Sequence, residues 1–169
     1  MIEKSKTRLE KILLNGVWLP IPSLLLFLMF ARHLPVQFQA DHFWKDIPDV
    51  VKYGENIFRI MVYLMPLFFS IGISTKKQKL GLIWYITGMA VYFLSWVPLV
   101  IVPNSGWSTS MIGFMAPAYT PLLWLIGIGL LGETFYYRLN YRPVYYIGVS
   151  VIFLIFHCTH VMIIYLRYF

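Results

Sequence analysis

Long apolar runs alternate with short polar segments along the whole chain. A helix crosses a hydrocarbon core roughly 30 Å thick with about 20 mostly apolar residues. Five runs approach that length, and we predict a spanning helix in each of them: residues 12–31, 57–73, 80–102, 117–137 and 143–166. The pattern therefore predicts an all-α integral membrane protein, in which residues 1–169 form a single polytopic membrane domain with a bundle of about five transmembrane helices.

One extended polar segment, residues 32–56, separates the first two runs. In its second part, at about residues 46–56, apolar residues recur at helical spacing, while Asp49, Lys52 and Glu55 fall on the other face. We predict an outer amphipathic helix here. It either lies flat in the membrane interface or forms the upper part of a long, bent second helix.

The composition agrees with a membrane protein. Apolar residues make up 59% of the chain and charged residues only 12%, whereas soluble domains average about half apolar and a quarter charged. Intrinsic disorder is excluded because it needs low hydrophobicity and high charge. Cys158 is the only cysteine, so a disulfide scaffold is excluded as well. The lipid bilayer is therefore the first predicted partner.

Basic residues predict the orientation, because they favour the cytoplasmic side of short loops. With five spans and the N-terminus inside, nine basic residues are inner: Lys4, Lys6, Arg8, Lys11, Lys76, Lys77, Lys79, Arg138 and Arg142. Five are outer: Arg32, Lys45, Lys52, Arg59 and Arg167. We therefore predict a cytoplasmic N-terminus and an outside C-terminus, with the bacterial inner (plasma) membrane as the location. These flanks account for the net charge of +7, so we expect anionic lipid headgroups and no nucleic acid as partners.

Two histidines in the last run are the strongest candidates for chemistry. His157 falls near the middle of the membrane, where ionisable groups are costly and usually face the bundle interior. His160, three residues later, shares its helix face. They are the only metal-ligand candidates within the spans, and two ligands do not complete a metal site. The alternatives are a ligand or proton contact, or hydrogen bonds to a neighbouring helix. The sequence does not specify a cofactor.

A mildly polar stripe runs along the third predicted span. Tyr85 and Tyr92 lie on one helix face together with a glycine and a serine. If this stripe turns inward, it meets the histidines in a small polar cavity, for which the predicted ligand-binding residues are His157, His160, Tyr85, Tyr92, Ser150 and Asn15. The alternative is hydrogen bonding between helices without a ligand.

Three glycines in the fourth span match a familiar spacing. Gly127, Gly129 and Gly132 spell the G-x-G-x-x-G of dinucleotide-binding loops. The match has no such meaning, because it lies in an apolar helix with no strand before it. Small residues in spanning helices let neighbouring backbones approach closely, and we predict that role for these glycines.

Three functions of different classes fit the sequence. The favoured one is a small transporter or membrane ligand-binding protein, with a small molecule or lipid in a polar intramembrane pocket. The second is an accessory or assembly subunit of a larger membrane complex. The third is a membrane-embedded enzyme or redox protein that acts on a lipid or quinone through the His pair. The chain shows no paired acids, phosphate loop or complete metal set, which argues against an enzyme. A membrane protein partner or a homo-oligomer is compatible with each function.

Overall fold

The computed structural model describes residues 8–137 and 139–169. Within these residues the chain forms eight α-helices and one small β-ribbon. The helices are α1 (Arg8–Leu13), α2 (Ile21–Phe30), α3 (Ala40–Phe43), α4 (Asp49–Leu64), α5 (Lys76–Ile101), α6 (Met111–Tyr119), α7 (Pro121–Leu131) and α8 (Pro143–Tyr168). The strands are β1 (Phe69–Ile71) and β2 (Gly132–Phe135), and short 3-10 helices cover Gly16–Trp18, Val36–Phe38 and Met65–Phe68.

Three helical segments among the described residues are long and apolar enough to cross a membrane. They are α5, the consecutive pair of α6 and α7, and α8. α5 and α8 have 26 residues each, and both contain most of a predicted span, residues 80–102 and 143–166 respectively. The hydrophobic pattern therefore located the two longest helices well.

The predicted span at 117–137 takes a different course. Its helix begins earlier, at Met111, and restarts at Pro121 as α7, since proline has no N–H to donate and is well placed in a first helical turn. α7 ends at Leu131. Residues 132–135, which the sequence assigns to a helix, form β2 instead.

The predicted span at 12–31 is helical only in parts. α1 ends at Leu13. The Asn15 side chain then accepts a hydrogen bond from the Val17 N–H at 2.8 Å and begins a 3-10 turn. Short amide side chains compete with helical hydrogen bonds in this way. α2 starts after Pro20.

The predicted span at 57–73 merges with the amphipathic segment at 46–56. α4 is one helix from Asp49 to Leu64, so the amphipathic segment forms its first half. Pro66 lies in the 3-10 turn that follows, and residues 69–71 form β1. The helix is therefore longer at its start, and shorter at its end, than the hydrophobic run.

One end of the bundle, which we call the strand end, comprises residues 14–18, 66–72, 132–137 and 139–142. Here β1 pairs antiparallel with β2, and Ser70 lies opposite Thr134. Phe69 is fully buried, and its ring centroid is 4.8 Å from that of Tyr141. The Tyr141 hydroxyl donates to the Gly129 carbonyl at 2.8 Å, and burial raises the pKa of this phenol above its ordinary value. A small aromatic core thus closes the strand end.

The opposite end, which we call the loop end, comprises residues 31–48 and 102–110. The last turn of α8 reaches it, where the Arg167 guanidinium donates to the His42 carbonyl at 3.1 Å. The His42 Nδ1 atom lies 2.8 Å from the Tyr168 hydroxyl. Phe38 stacks on Phe114 of α6, with 4.7 Å between the ring centroids. These contacts hold the loop against the ends of α6 and α8.

α5 and α7 pack backbone against backbone at glycines. A Cβ atom at Gly88 would overlap the Trp124 backbone nitrogen, and one at Gly127 would overlap the Tyr85 backbone nitrogen. Only glycine permits so close an approach in a helix pair. The packing role predicted for Gly127 is therefore confirmed.

We expect Gly88→Ala to lower the free energy of unfolding by about 1–3 kcal/mol, because the new methyl group must push α5 away from α7. Gly148→Ala is the matched control. It makes the same change in another long helix, where a Cβ meets no atom within 4 Å and alanine favours the helix. Thermal unfolding in mild detergent measures both variants. Equal stability of the two would contradict the packing.

Candidate functional site

α4 turns its apolar side outward and its acid inward. The exposed large apolar residues on this helix are Val50, Tyr53, Ile57, Ile60, Met61 and Leu64. Glu55, by contrast, is fully buried (0% exposed). A helix in water buries its apolar stripe, so this arrangement suits a helix with lipid outside and a polar interior. The sequence placed Asp49, Lys52 and Glu55 on one polar face, and of these three residues only Glu55 is buried.

A glycine brings α4 close to α8. A Cβ atom at Gly54 would overlap the Phe156 ring of α8. Phe58 stacks on the same ring, with 5.9 Å between the centroids and 14° between the planes. The close approach places the Glu55 carboxylate against the face of α8 that carries His157 and His160.

Three side chains converge on the Glu55 carboxylate. The His157 Nδ1 atom lies 2.8 Å from Oε1, and the Arg59 guanidinium binds the same oxygen. The His160 Nδ1 atom binds Oε2. A buried carboxylate is stable only when it is paired and hydrogen-bonded, and here both oxygens have partners. The two histidines share a helix face, as predicted, and meet on one acid.

Hydrogen-bond balance requires an extra proton in this cluster. The His160 Nε2 atom lies 2.8 Å from the Phe43 carbonyl, which is an acceptor, so Nε2 carries a hydrogen. The Nδ1 atom faces the Glu55 carboxyl group, and a second proton must lie between these two groups. Whether that proton belongs to the imidazole or to the carboxyl group, the total charge of Glu55, His160 and Arg59 is +1.

A cavity of about 330 Å³ lies beside this cluster, in the half of the bundle nearer the loop end. Its walls come from α2, the loop end, α4, α5, α6, α7 and α8. Aromatic side chains dominate the walls: Phe27, Phe38, Trp44, Trp96, Trp124 and Phe153. Ligand pockets typically measure roughly 300–1,000 Å³ and combine apolar walls with a few polar groups. The cavity therefore has the size and character of a site for a small ligand.

The polar groups of the cavity come mainly from α4 and α8. Arg59 and His157 line it, and both bind the same oxygen of Glu55. Tyr63 also lines it, and its hydroxyl lies 3.2 Å from the Ser23 hydroxyl of α2. The Arg59 guanidinium carbon lies 5.5 Å from the centroid of the Trp44 ring, a cation–π distance. One wall is thus polar and the others are apolar.

The structure brings three of the predicted ligand-binding residues to this region. His157 and Tyr92 line the cavity. His160 is fully buried behind it, between Glu55 and Phe43. Their role in binding a ligand stays a prediction.

The other three predicted residues lie elsewhere. The Tyr85 hydroxyl donates to the Leu19 carbonyl at 2.9 Å, and the Ser150 hydroxyl donates to the Tyr146 carbonyl one turn earlier in α8. Asn15 lies at the strand end, where its side-chain amide donates to the Leu67 carbonyl at 3.1 Å. These side chains satisfy backbone groups, so the expectation that they join the histidines in one cavity is wrong.

The metal hypothesis for His157 and His160 gains no support from the geometry. Across residues 8–137 and 139–169, no group of three or more His, Cys, Asp or Glu side chains is arranged to hold a metal ion. In both histidines the Nδ1 atom is already bound to Glu55.

Glu55 is the site residue that sequence reasoning missed. Its position on the polar face of the predicted amphipathic helix indicated an exposed acid. Two signals were present. Arg59 follows four residues later, the spacing of a helical ion pair, and two histidines deep in a membrane helix need a polar partner. Only the packing of α4 on α8 shows that one acid meets both needs.

Comparison with known proteins assigns no relative. The chain matches no family model, no curated protein and no solved structure. The function is therefore inferred from the cavity and its residues.

Proposed function

We propose that the protein is a multi-pass membrane protein that crosses the bilayer five times and binds a small amphipathic molecule in the cavity beside Glu55. Its function is that of a membrane ligand-binding protein or a small transporter. The observation that carries this proposal is an aromatic cavity with one polar wall, built from residues of several helices.

Five crossings are supported by the course of the chain between the two ends of the bundle. Residues 14–18 lie at the strand end and the chain reaches the loop end at residue 31. α4 returns it to the strand end, where β1 lies. α5, then α6 with α7, and finally α8 make three further passages. The first two passages, through α2 and α4, contain no single helix of 18 residues. In the second passage, the contacts of Glu55 with His157 and His160 hold α4 against α8.

The distribution of charge supports an inside strand end. Lys76, Lys77 and Lys79 begin α5 at the strand end, and Arg142 precedes α8 there. The loop end carries the acids Asp41 and Asp46 among its basic residues. Because basic residues favour the cytoplasmic side, the cavity then lies in the outer half of the membrane. The bacterial inner membrane remains the proposed location.

Native mass spectrometry of the protein released from mild detergent tests ligand binding. We expect the wild type to retain a stoichiometric non-protein mass, and His157→Ala to lose it, since His157 lines the cavity. Thr159→Ala is the control. This residue is exposed on the same helix, and its hydroxyl donates to the Ile155 carbonyl, so its loss should leave the bound mass unchanged.

Other outcomes would favour the competing functions. A bare chain in the wild type, stable only when a second membrane protein is present, would favour an accessory subunit. A retained mass with a visible absorption band would favour a redox enzyme. A mass retained equally by His157→Ala and Thr159→Ala would place the ligand outside the cavity.

A further inference from the structure

The cavity beside Glu55 contains more hydrogen-bond donors than the protein uses. A guanidinium group has five N–H donors. Arg59 makes one hydrogen bond to Glu55 and one of 3.4 Å to the Asn56 side chain, which leaves three donors without a partner among the described residues. Its side chain is 33% exposed and lines the cavity. The unused donors are therefore available to a ligand.

A second residue of the cavity wall also carries a donor without a partner. Trp124 lines it and is only 2% exposed. Its Nε1–H is the one buried side-chain polar atom in the described part of the chain that has no hydrogen-bond partner. Buried polar groups are almost always satisfied, so this unpaired indole N–H is an exception, and it belongs to a residue of the cavity wall.

The charge of the polar wall has the matching sign. Glu55, His160 and Arg59 together carry +1, as the hydrogen bonds of His160 require. Among the described residues that line the cavity, none is an acid, and Arg59 is the one that always carries a charge. Glu55 itself is fully buried behind the wall. A positive charge in a low-dielectric cavity favours an anion strongly.

We propose that the cavity binds a short-chain amphiphile with a monoanionic acid head group, which contacts the free N–H donors of Arg59 while its apolar chain lies among the aromatic walls. This inference rests on the proposed ligand-binding function and adds the chemical class of the ligand. His157 fits the same head group. With Nδ1 bound to Glu55, its Nε2 accepts the proton of a carboxylic acid or, once protonated, donates to a carboxylate.

The test compares two probes that differ only in the head group. They are decanoate brominated at its terminal carbon and the corresponding bromo-alcohol, added to the full-length protein in nanodiscs of zwitterionic lipid. Bromine quenches nearby tryptophans, and Trp44, Trp96 and Trp124 line the cavity. Empty nanodiscs correct for partitioning into lipid. We expect saturable quenching, with the carboxylate binding at least about tenfold more tightly than the alcohol, the effect of one charge-assisted hydrogen-bonded contact.

Variants assign the preference to Arg59. Arg59→Gln should abolish the preference for the carboxylate and leave alcohol binding unchanged, whereas Arg59→Lys should keep most of it. Lys52→Gln removes a positive charge from the same helix at a residue that does not line the cavity, and it should leave the preference intact. If Arg59→Gln does not fold, the comparison of the two probes on the wild type still decides.

The outcomes separate this inference from the proposed function. Equal, saturable binding of both probes to the wild type would overturn the acid head group and leave the ligand-binding function standing. The absence of saturable quenching by either probe would overturn both. If Lys52→Gln also abolishes the preference for the carboxylate, that preference comes from the surface charge of the protein. This result would overturn the role of Arg59.

Discussion

Glu55→Ala is expected to lower the free energy of unfolding by about 3–5 kcal/mol, the cost of removing one partner from a buried ionic cluster. The change leaves the Nδ1 atoms of His157 and His160 without their hydrogen-bond partner and leaves the Arg59 charge unpaired. It also opens a void between α4 and α8. Chemical unfolding in mild detergent measures the loss.

Asp49→Ala is the control for this prediction. Asp49 is an exposed acid in the first turn of the same helix, where an acid contributes about 0.3–1 kcal/mol through the helix dipole. If Glu55→Ala were no more destabilising than Asp49→Ala, the carboxylate would not be the centre of the site. The double variant Glu55→Ala with His160→Ala should cost less than the sum of the single changes, because the two residues act as one unit.

Phe69→Ala is expected to lower the free energy of unfolding by about 3–5 kcal/mol, as for other fully buried phenylalanines. Its ring packs against Tyr141 and Tyr146 at the strand end. Gly16 leaves room for it, since a Cβ at that position would overlap the Phe69 ring.

The adjacent residue provides a matched control. Phe68 is 40% exposed, and Phe68→Ala makes the same change one position earlier in the chain. We expect a loss of less than about 1 kcal/mol for this variant. Thermal and chemical unfolding of both variants compare them directly. A larger loss of stability for Phe68→Ala than for Phe69→Ala would mean that Phe68, and not Phe69, faces the core of the strand end.

Hydrophobic runs predicted the parts of the fold that depend on one helix alone. α5 and α8 each contain one long, mostly apolar run, and the pattern located both. The packing role of the glycines in α7 was also predictable, because a small residue in an apolar helix has few other uses. In these elements the local preference and the packing agree.

Prediction failed where tertiary contacts override the apolar pattern. Residues 69–71 and 132–135 fall within predicted spans, yet they pair as strands after α4, the 3-10 turn Met65–Phe68 and α7 have ended. Asn15 was expected at the polar cavity, but its side chain caps a turn. Hydropathy measures burial in lipid or protein and does not distinguish a helix from a short strand.

The site was half predictable for a similar reason. Two histidines on one face of a membrane helix indicate a polar interior, and the sequence identified both. The sequence also placed Glu55 on the polar face of α4, but which face turns inward depends on what surrounds the helix. In water the apolar face would be buried, whereas in lipid it is exposed. The acid therefore became visible as a site residue only once α4 was seen against α8.

Cysteine labelling in intact cells is the measurement that tests the central claim most directly, namely that α4 crosses the membrane with its acid inside the bundle. In a Cys158→Ser background, single cysteines replace Asp41, Lys77, Ile57 and Ile60. We expect an impermeant maleimide to label position 41 from outside, and position 77 only after permeabilisation. Positions 57 and 60 should resist labelling throughout, because a thiol in lipid does not form the reactive thiolate. Labelling of positions 57 and 60 from the water phase, or of positions 41 and 77 from the same side, would contradict the account.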